Sequence, residues 1–121
     1  MTAAVWAGVV VMGGVGAVLR FLVDRAVSRR VARVFPYGTL LVNLSGALVL
    51  GLLGGLALSP QLALVIGTAL VGSYTTFSTW MLETQRIGEE RQFWPAAANI
   101  VVSVALGLTA AGLGLWIGAR L

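Results

Sequence analysis

The sequence predicts an all-α integral membrane protein, a single domain of four transmembrane helices filling residues 1–121. Three observations predict it. The chain is 59% hydrophobic and 10% charged, whereas a soluble domain carries about 25% charged residues. Its apolar residues form four runs, at about 3–23, 38–57, 62–82 and 95–118, each near the ~20 residues a helix needs to cross a bilayer. Its eight basic residues are all arginine and gather at the ends of those runs and between them. Four spans leave no room for a separate soluble domain.

The same composition excludes most chemistry. Cysteine and histidine are absent, which removes disulfides, thiol nucleophiles, Cys-ligated metals and the usual general base. The carboxylates are Asp24, Glu83, Glu89 and Glu90, and none lies at the centre of an apolar run. An enzyme is not expected. A net charge of +4 in a chain of mean hydropathy +0.97 reflects topology and lipid contact rather than nucleic acid.

The first span starts almost at Met1 without a basic leader and is read as a retained helix rather than a signal peptide. Gly8, Gly13, Gly14 and Gly16 give it a small-residue surface suited to close helix contact. Arg20, near its end, reads either as an interfacial side chain reaching the headgroups or as a positive charge at the mouth of an anion path. From Asp24 to Pro36 the chain carries Arg25, Arg29, Arg30 and Arg33, with Val27, Val31 and Val34 at helical spacing between them. This connection is expected to form an amphipathic turn or two at the interface, its arginines serving as topology determinants and lipid anchors.

In the second span Thr39, Asn43, Gly46 or Ala47, Gly51 and Gly54 fall three to four apart and share one face. Asn43 is polar and well inside an apolar run. It reads equally as an interhelical hydrogen bond or as a pore-facing amide offering N–H to an anion. After the uncharged turn Leu58 to Gln61 comes the third span, whose centre reads Gly72-Ser73-Tyr74-Thr75-Thr76-Phe77-Ser78-Thr79-Trp80. Gly and β-branched Thr weaken helices. Hydrocarbon tolerates polar, irregular backbone only where it faces protein or water. A helix broken at mid-membrane, beside an ion or solute path, is the reading. The span ends at Glu83, a mixed-charge connection runs from Thr84 to Gln92, and Phe93 and Trp94 form an interfacial anchor. The fourth span aligns Asn99, Ser103, Gly107 and Gly114 on one face.

Four spans put both termini on one side and the two long connections on the other. Leaving Arg20 aside, the connection side holds Arg25, Arg29, Arg30, Arg33, Arg86 and Arg91, against Arg120 on the terminal side, six to one. The positive-inside rule places those connections in the cytoplasm.

Several motifs now converge. Gly13-Gly14-Val15-Gly16-Ala17-Val18-Leu19-Arg20-Phe21 resembles the opening of the CrcB/Fluc fluoride channels, GGxxGAxxRF. Tyr37 to Gly46, YGTLLVNLSG, resembles their second-helix pattern. Gly72 to Glu83, GSYTTFSTWMLE, is similar to their GxxTTFSTFxxE signature, and Asn99 to Ser103 to their weaker NxxxS. The resemblance covers nearly the whole chain, in order. It implies an antiparallel, dual-topology dimer with two fluoride pores along its interface and export of cytoplasmic fluoride through the cell membrane. It also implies a structural Na⁺, not transported, held by backbone carbonyls of Gly72 and Thr75. Asn43, Phe77 and Trp80 would line the pore, with Thr39, Ser78, Thr79 and Ser103 along a polar track. Arg20 and Glu83 would stand in the vestibule and near a pore end. Position 80 departs from the family: Trp stands where Phe is usual, bulkier and carrying an N–H donor.

The physics agrees with that resemblance. A small, tightly hydrated anion needs short-range neutral donors and ring edges in place of water, and weak repeated sites rather than one full charge. Without nucleotide or redox motifs, transport is expected to be passive. The arginine bias sits poorly with one sequence inserting both ways. It predicts insertion mainly one way and pairing with an oppositely biased paralogue, with the homodimer as the alternative. Two other readings compete. A small four-helix multidrug exporter would need a carboxylate in the first helix, which Met1 to Phe21 lacks. A non-transporting assembly subunit would need Gly and Ala at Thr75 to Thr79 instead.

Overall fold

The computed structural model describes residues 2–31 and 33–121. Helix α1 runs Ala3–Arg30, its first turn capped by the Thr2 hydroxyl, which accepts from the Val5 N–H at 3.3 Å. The span expected at about 3–23 lies inside it. The helix does not stop there: it continues to Arg30, through residues the sequence reading gave to an interfacial connection. No glycine or proline falls between Gly16 and Pro36, so nothing breaks the backbone, and Arg29 and Arg30 complement the negative end of the helix. Its 28 residues rise about 42 Å, more than the ~30 Å of a hydrocarbon core. The surplus is long enough for Arg25, Arg29 and Arg30 to stand at headgroup depth.

Helix α2 is Tyr37–Leu56, and Ala57 ends it in the left-handed conformation at φ 52°. Ser59 then caps the next turn, accepting from the Leu62 N–H at 3.4 Å, with Pro60 at the first helical position. The third segment is composite: α3 (Pro60–Leu62), a π-helical stretch Ala63–Val71, and α4 (Gly72–Tyr74). At the end of the wide turns the Gly72 N–H points to both Gly67 and Ala69 carbonyls. Thr75 is extended, at φ −78° and ψ 160°, and α5 begins at Ser78 and runs to Glu89. Thus Thr84 to Glu89 are helical rather than loop, steadied by the Gln85–Glu89 side-chain bond at 3.2 Å. Arg91, at φ 60°, makes the turn into α6 (Phe93–Arg120).

The four apolar helical segments, each long enough to cross a membrane, pack in two parallel pairs. A side chain at Gly16 would collide with the Leu70 carbonyl and the Ser73 hydroxyl, and Gly8 faces Val65, so α1 and the π-helical stretch advance together. The tightest seam lies between α2 and α6. Gly51 faces the Ala111 carbonyl, Gly55 that of Leu115, Gly114 that of Leu48 and Gly118 that of Leu52. Glycines four apart on both helices let the backbones touch, the small-xxx-small arrangement that replaces hydrophobic driving force in lipid. Among the described residues the largest fully buried side chains are Val42 and Asn99, whereas Val10, Phe77 and Leu108 are at least 70% exposed. So much exposed apolar surface suits lipid or a partner rather than water.

The seam gives a sharp contrast. Gly112 has no neighbour within 4 Å of an added Cβ, so Gly112→Ala should leave the melting temperature in detergent unchanged or raise it. Gly114→Ala should lower it, overpacking costing about 1–3 kcal/mol.

Candidate functional site

The polar centre of the third segment is organised by its departure from helical geometry at Thr75. Thr75 still reaches back, its N–H and its hydroxyl both donating to the Val71 carbonyl, at 3.0 and 3.2 Å. Thr76 cannot, and Asn43 of α2 takes over. The Thr76 N–H donates to Asn43 Oδ1 at 2.8 Å, and Asn43 Nδ2 donates to the Thr76 carbonyl at 2.9 Å. One side-chain amide thus stands in for the neighbouring peptide, pairing with donor and acceptor together. The Thr76 hydroxyl accepts from the Thr79 N–H at 3.2 Å, so Thr76 also caps α5. Gly46 lets this turn sit against α2, since a Cβ there would run into the Thr75 methyl.

The Asn43 amide is therefore first a backbone brace. It has two N–H bonds, and Thr76 takes one, leaving a second donor. Asn43 lines an open groove of about 290 Å³ with Trp80, Ser103 and Gly107. Three residues expected along a path thus meet on one surface, contributed by α2, α5 and α6.

Trp80 is fixed more firmly than its sequence suggested. Its indole N–H donates to the Asn99 carbonyl at 3.1 Å. Asn99 Nδ2 donates to the Thr84 hydroxyl at 2.8 Å, and that hydroxyl donates to the Trp80 carbonyl at 2.8 Å. The ring of bonds closes across α5 and α6, with Asn99 1% exposed at its centre. Phe77 meets the indole edge-on, with centroids 5.7 Å apart and planes at 78°, the preferred aromatic geometry. The rest of the Phe77 ring is open.

Thr39 is buried and donates to Glu83 Oε1 at 2.5 Å, joining the N-terminal turn of α2 to the middle of α5. Ser78 and Thr79 occupy the first turn of α5 and do not line the Asn43 groove. Arg20 is half-buried on α1, one turn beyond Gly16 and outside that groove. Gly72 and Thr75 line a different open groove of about 530 Å³, with Gly67, Thr68 and Gly54. Among the described residues no N–H or hydroxyl of the chain reaches the Gly72 or Thr75 carbonyl, and no cluster of three His, Cys, Asp or Glu exists. Free carbonyl oxygens are ligands for a hard cation.

Sequence reasoning missed several participants. Thr84 falls in an expected connection, and Asn99, though part of the polar stripe and of the fourth-helix motif, carries no expected partner. The Tyr74–Ser45 hydroxyl contact at 2.9 Å, which ties α4 to α2, was not anticipated; Ser45 gives its own proton to the Val42 carbonyl at 3.1 Å.

Known proteins resemble this arrangement in sequence over almost its full length. The family described as CrcB-like protein, Camphor Resistance (CrcB), matches residues 7–115. A Mycobacterium tuberculosis protein named Fluoride-specific ion channel FluC 2 is 67% identical over 117 residues, covering 97% of this chain and 93% of that one. The Mycolicibacterium paratuberculosis protein of the same name is 70% identical over 113 residues, 93% of each chain. A Streptomyces avermitilis protein named Fluoride-specific ion channel FluC 1 is 48% identical over 115 residues, 92% of this chain and 93% of that one. These relatives are named as channels, not enzymes. The expected resemblance holds: the chain is a multi-pass membrane protein belonging to the CrcB family.

Proposed function

We propose that this chain is a subunit of a passive, fluoride-selective channel that exports cytoplasmic fluoride across the cell membrane. The observation that carries the proposal is the groove where Asn43, Trp80 and Ser103 meet, beside the open edge of Phe77. It offers neutral donors and ring edges without a full charge, which favours a small hydrated anion that must bind weakly and leave. The names of the relatives support fluoride as the ion. An inside-negative potential favours anion exit by about 2.3 kcal/mol per 100 mV.

In this reading the departure from helix at Thr75 lies at mid-membrane. Two subunits pack antiparallel, with a pore on each side of their interface. The carbonyls of Gly72 and Thr75 would hold a structural Na⁺, which supplies a fixed positive charge between subunits. Thr39, Ser78 and Thr79 would continue the polar track, Arg20 would stand in the aqueous vestibule and Glu83 near a pore end. Sodium that binds only the folded dimer stabilises it by mass action, about 2.7 kcal/mol at a hundredfold excess over its Kd. Raising Na⁺ at constant ionic strength should therefore raise the melting temperature, and equal K⁺ should not.

The partner is a second copy or an oppositely biased paralogue, and the six-to-one arginine bias favours the paralogue. The numbering of the relatives as FluC 1 and FluC 2 fits such pairs. The test is fluoride efflux from liposomes, read by a fluoride electrode beside a chloride control, with the chain alone and with the paralogue. Rapid fluoride loss with chloride retained is expected. Folded protein that releases no fluoride in either case would end the proposal.

A further inference from the structure

We propose that the corner between α1 and α2 is a binding site for one anionic phospholipid. Two adjoining open grooves meet there. One, about 740 Å³, is lined by Ser28, Arg33, Phe35 and Tyr37. The other, about 510 Å³, runs along Val27, Leu40, Leu41 and Leu44. Val31, Arg33 and Tyr37 line both, so the two form one surface with different chemistry at each end. The first end offers the Arg33 guanidinium and the Tyr37 hydroxyl, a fit for a phosphodiester. The second is wholly aliphatic along α2 and suits an acyl chain. A free phosphate would use only the first end, and a neutral lipid only the second.

Depth and charge point to the same occupant. Helix α1 outruns the hydrocarbon core, which sets this corner at the headgroup layer. Exposed Arg25, Arg29 and Arg30 stand on the same helix end, and four of the eight basic residues fall between positions 25 and 33. Asp24, the acidic residue of this corner, accepts from the Ser28 hydroxyl at 3.2 Å and lies against Gly38 in the first turn of α2. A cluster of this density attracts anionic lipid. A second copy presenting the same corner would be repelled by it.

Native mass spectrometry of the full chain in detergent tests the site, with phosphatidylglycerol, phosphatidylcholine and glycerol 3-phosphate offered separately. Phosphatidylglycerol should stay bound at energies that strip phosphatidylcholine, and glycerol 3-phosphate should not bind. Arg33→Gln should weaken phosphatidylglycerol binding about fivefold, with Arg33→Lys recovering part of the loss. Leu41→Asn should also weaken it, and Arg91→Gln, an exposed arginine between α5 and α6, should not. Equal retention of the two lipids would overturn the proposal. So would glycerol 3-phosphate binding as tightly as the lipid, or Arg91→Gln costing as much as Arg33→Gln. The melting temperature of each variant in detergent shows that the fold is kept. The result does not depend on whether the chain conducts fluoride.

Discussion

Asn43→Ala should lower the fluoride efflux rate by about a hundredfold while the helices stay assembled. The substitution removes both bonds to Thr76, and that residue has no helical partner to fall back on because Thr75 has already left the helix. Leaving a buried donor or acceptor unpaired costs about 1–3 kcal/mol, and about 3 kcal/mol in all corresponds to a hundredfold in rate. Hydrogen bonds between membrane helices average nearer 0.6 kcal/mol, because partners can usually be exchanged. Here the exchange is blocked by the turn itself, so the larger figure applies. Asn43→Asp keeps the acceptor for the Thr76 N–H but sets a carboxylate oxygen against the Thr76 carbonyl and a negative charge beside the groove, so it should not restore flux. Efflux measured beside the melting temperature separates a misplaced turn from an unfolded protein: the account requires flux to fall much further than stability.

Thr84→Val is the second large effect. Valine matches threonine in shape, so only the hydroxyl is lost. That hydroxyl receives the Asn99 amide and passes its own proton to the Trp80 carbonyl. Without it the Asn99 Nδ2 stays buried with nothing to donate to, at about 1–3 kcal/mol. The tether between α5 and α6 then rests on the indole N–H alone. Efflux should drop about tenfold, an equivalent of 1.36 kcal/mol, because Trp80 and the Phe77 edge lean on this ring of bonds. Thr84→Ser should restore most of it. In a double-mutant cycle, Trp80→Phe and Thr84→Val should couple by about 0.5–3 kcal/mol. Additive effects would show that the ring of bonds does not act as a unit.

How much of this was legible in the sequence depended on the range of the interaction. The four apolar segments were plain because lipid selects for hydrophobicity residue by residue. Their ends were not: arginines between positions 25 and 30 look like a loop in a hydropathy pattern, yet without glycine or proline the helix simply continues into the headgroups. Thr84 to Glu89 also stay helical, there despite Gly88 and with the Gln85–Glu89 side-chain bond as support. The run Gly72 to Trp80 announced itself through helix-weakening, polar residues in an apolar context. The π-helical stretch Ala63–Val71 left no comparable mark, and nothing in its residues accounts for the wider turns.

Within the site, side-chain chemistry was readable and pairing was not. Asn43 was recognisable as a buried amide, but its partner is a backbone unit 33 positions away. Its role as a brace follows from how close Gly46 lets α2 come to Thr75. Trp80 looked like a perturbation because its N–H had no visible destination. The Asn99 carbonyl, 19 residues further on, supplies one. The carbonyls of Gly72 and Thr75 could be named only through the resemblance, since free backbone oxygens leave no trace in a sequence.

The most direct measurement of the central claim is the reversal potential of a planar bilayer containing the chain, with its paralogue where needed. Fluoride is set in a tenfold gradient, and chloride is held symmetric and in excess. A fluoride-selective channel predicts a reversal of about 59 mV, the value for a tenfold gradient of a singly charged ion, with the sign set by fluoride. A reversal near zero, where symmetric chloride would hold it, would contradict the account.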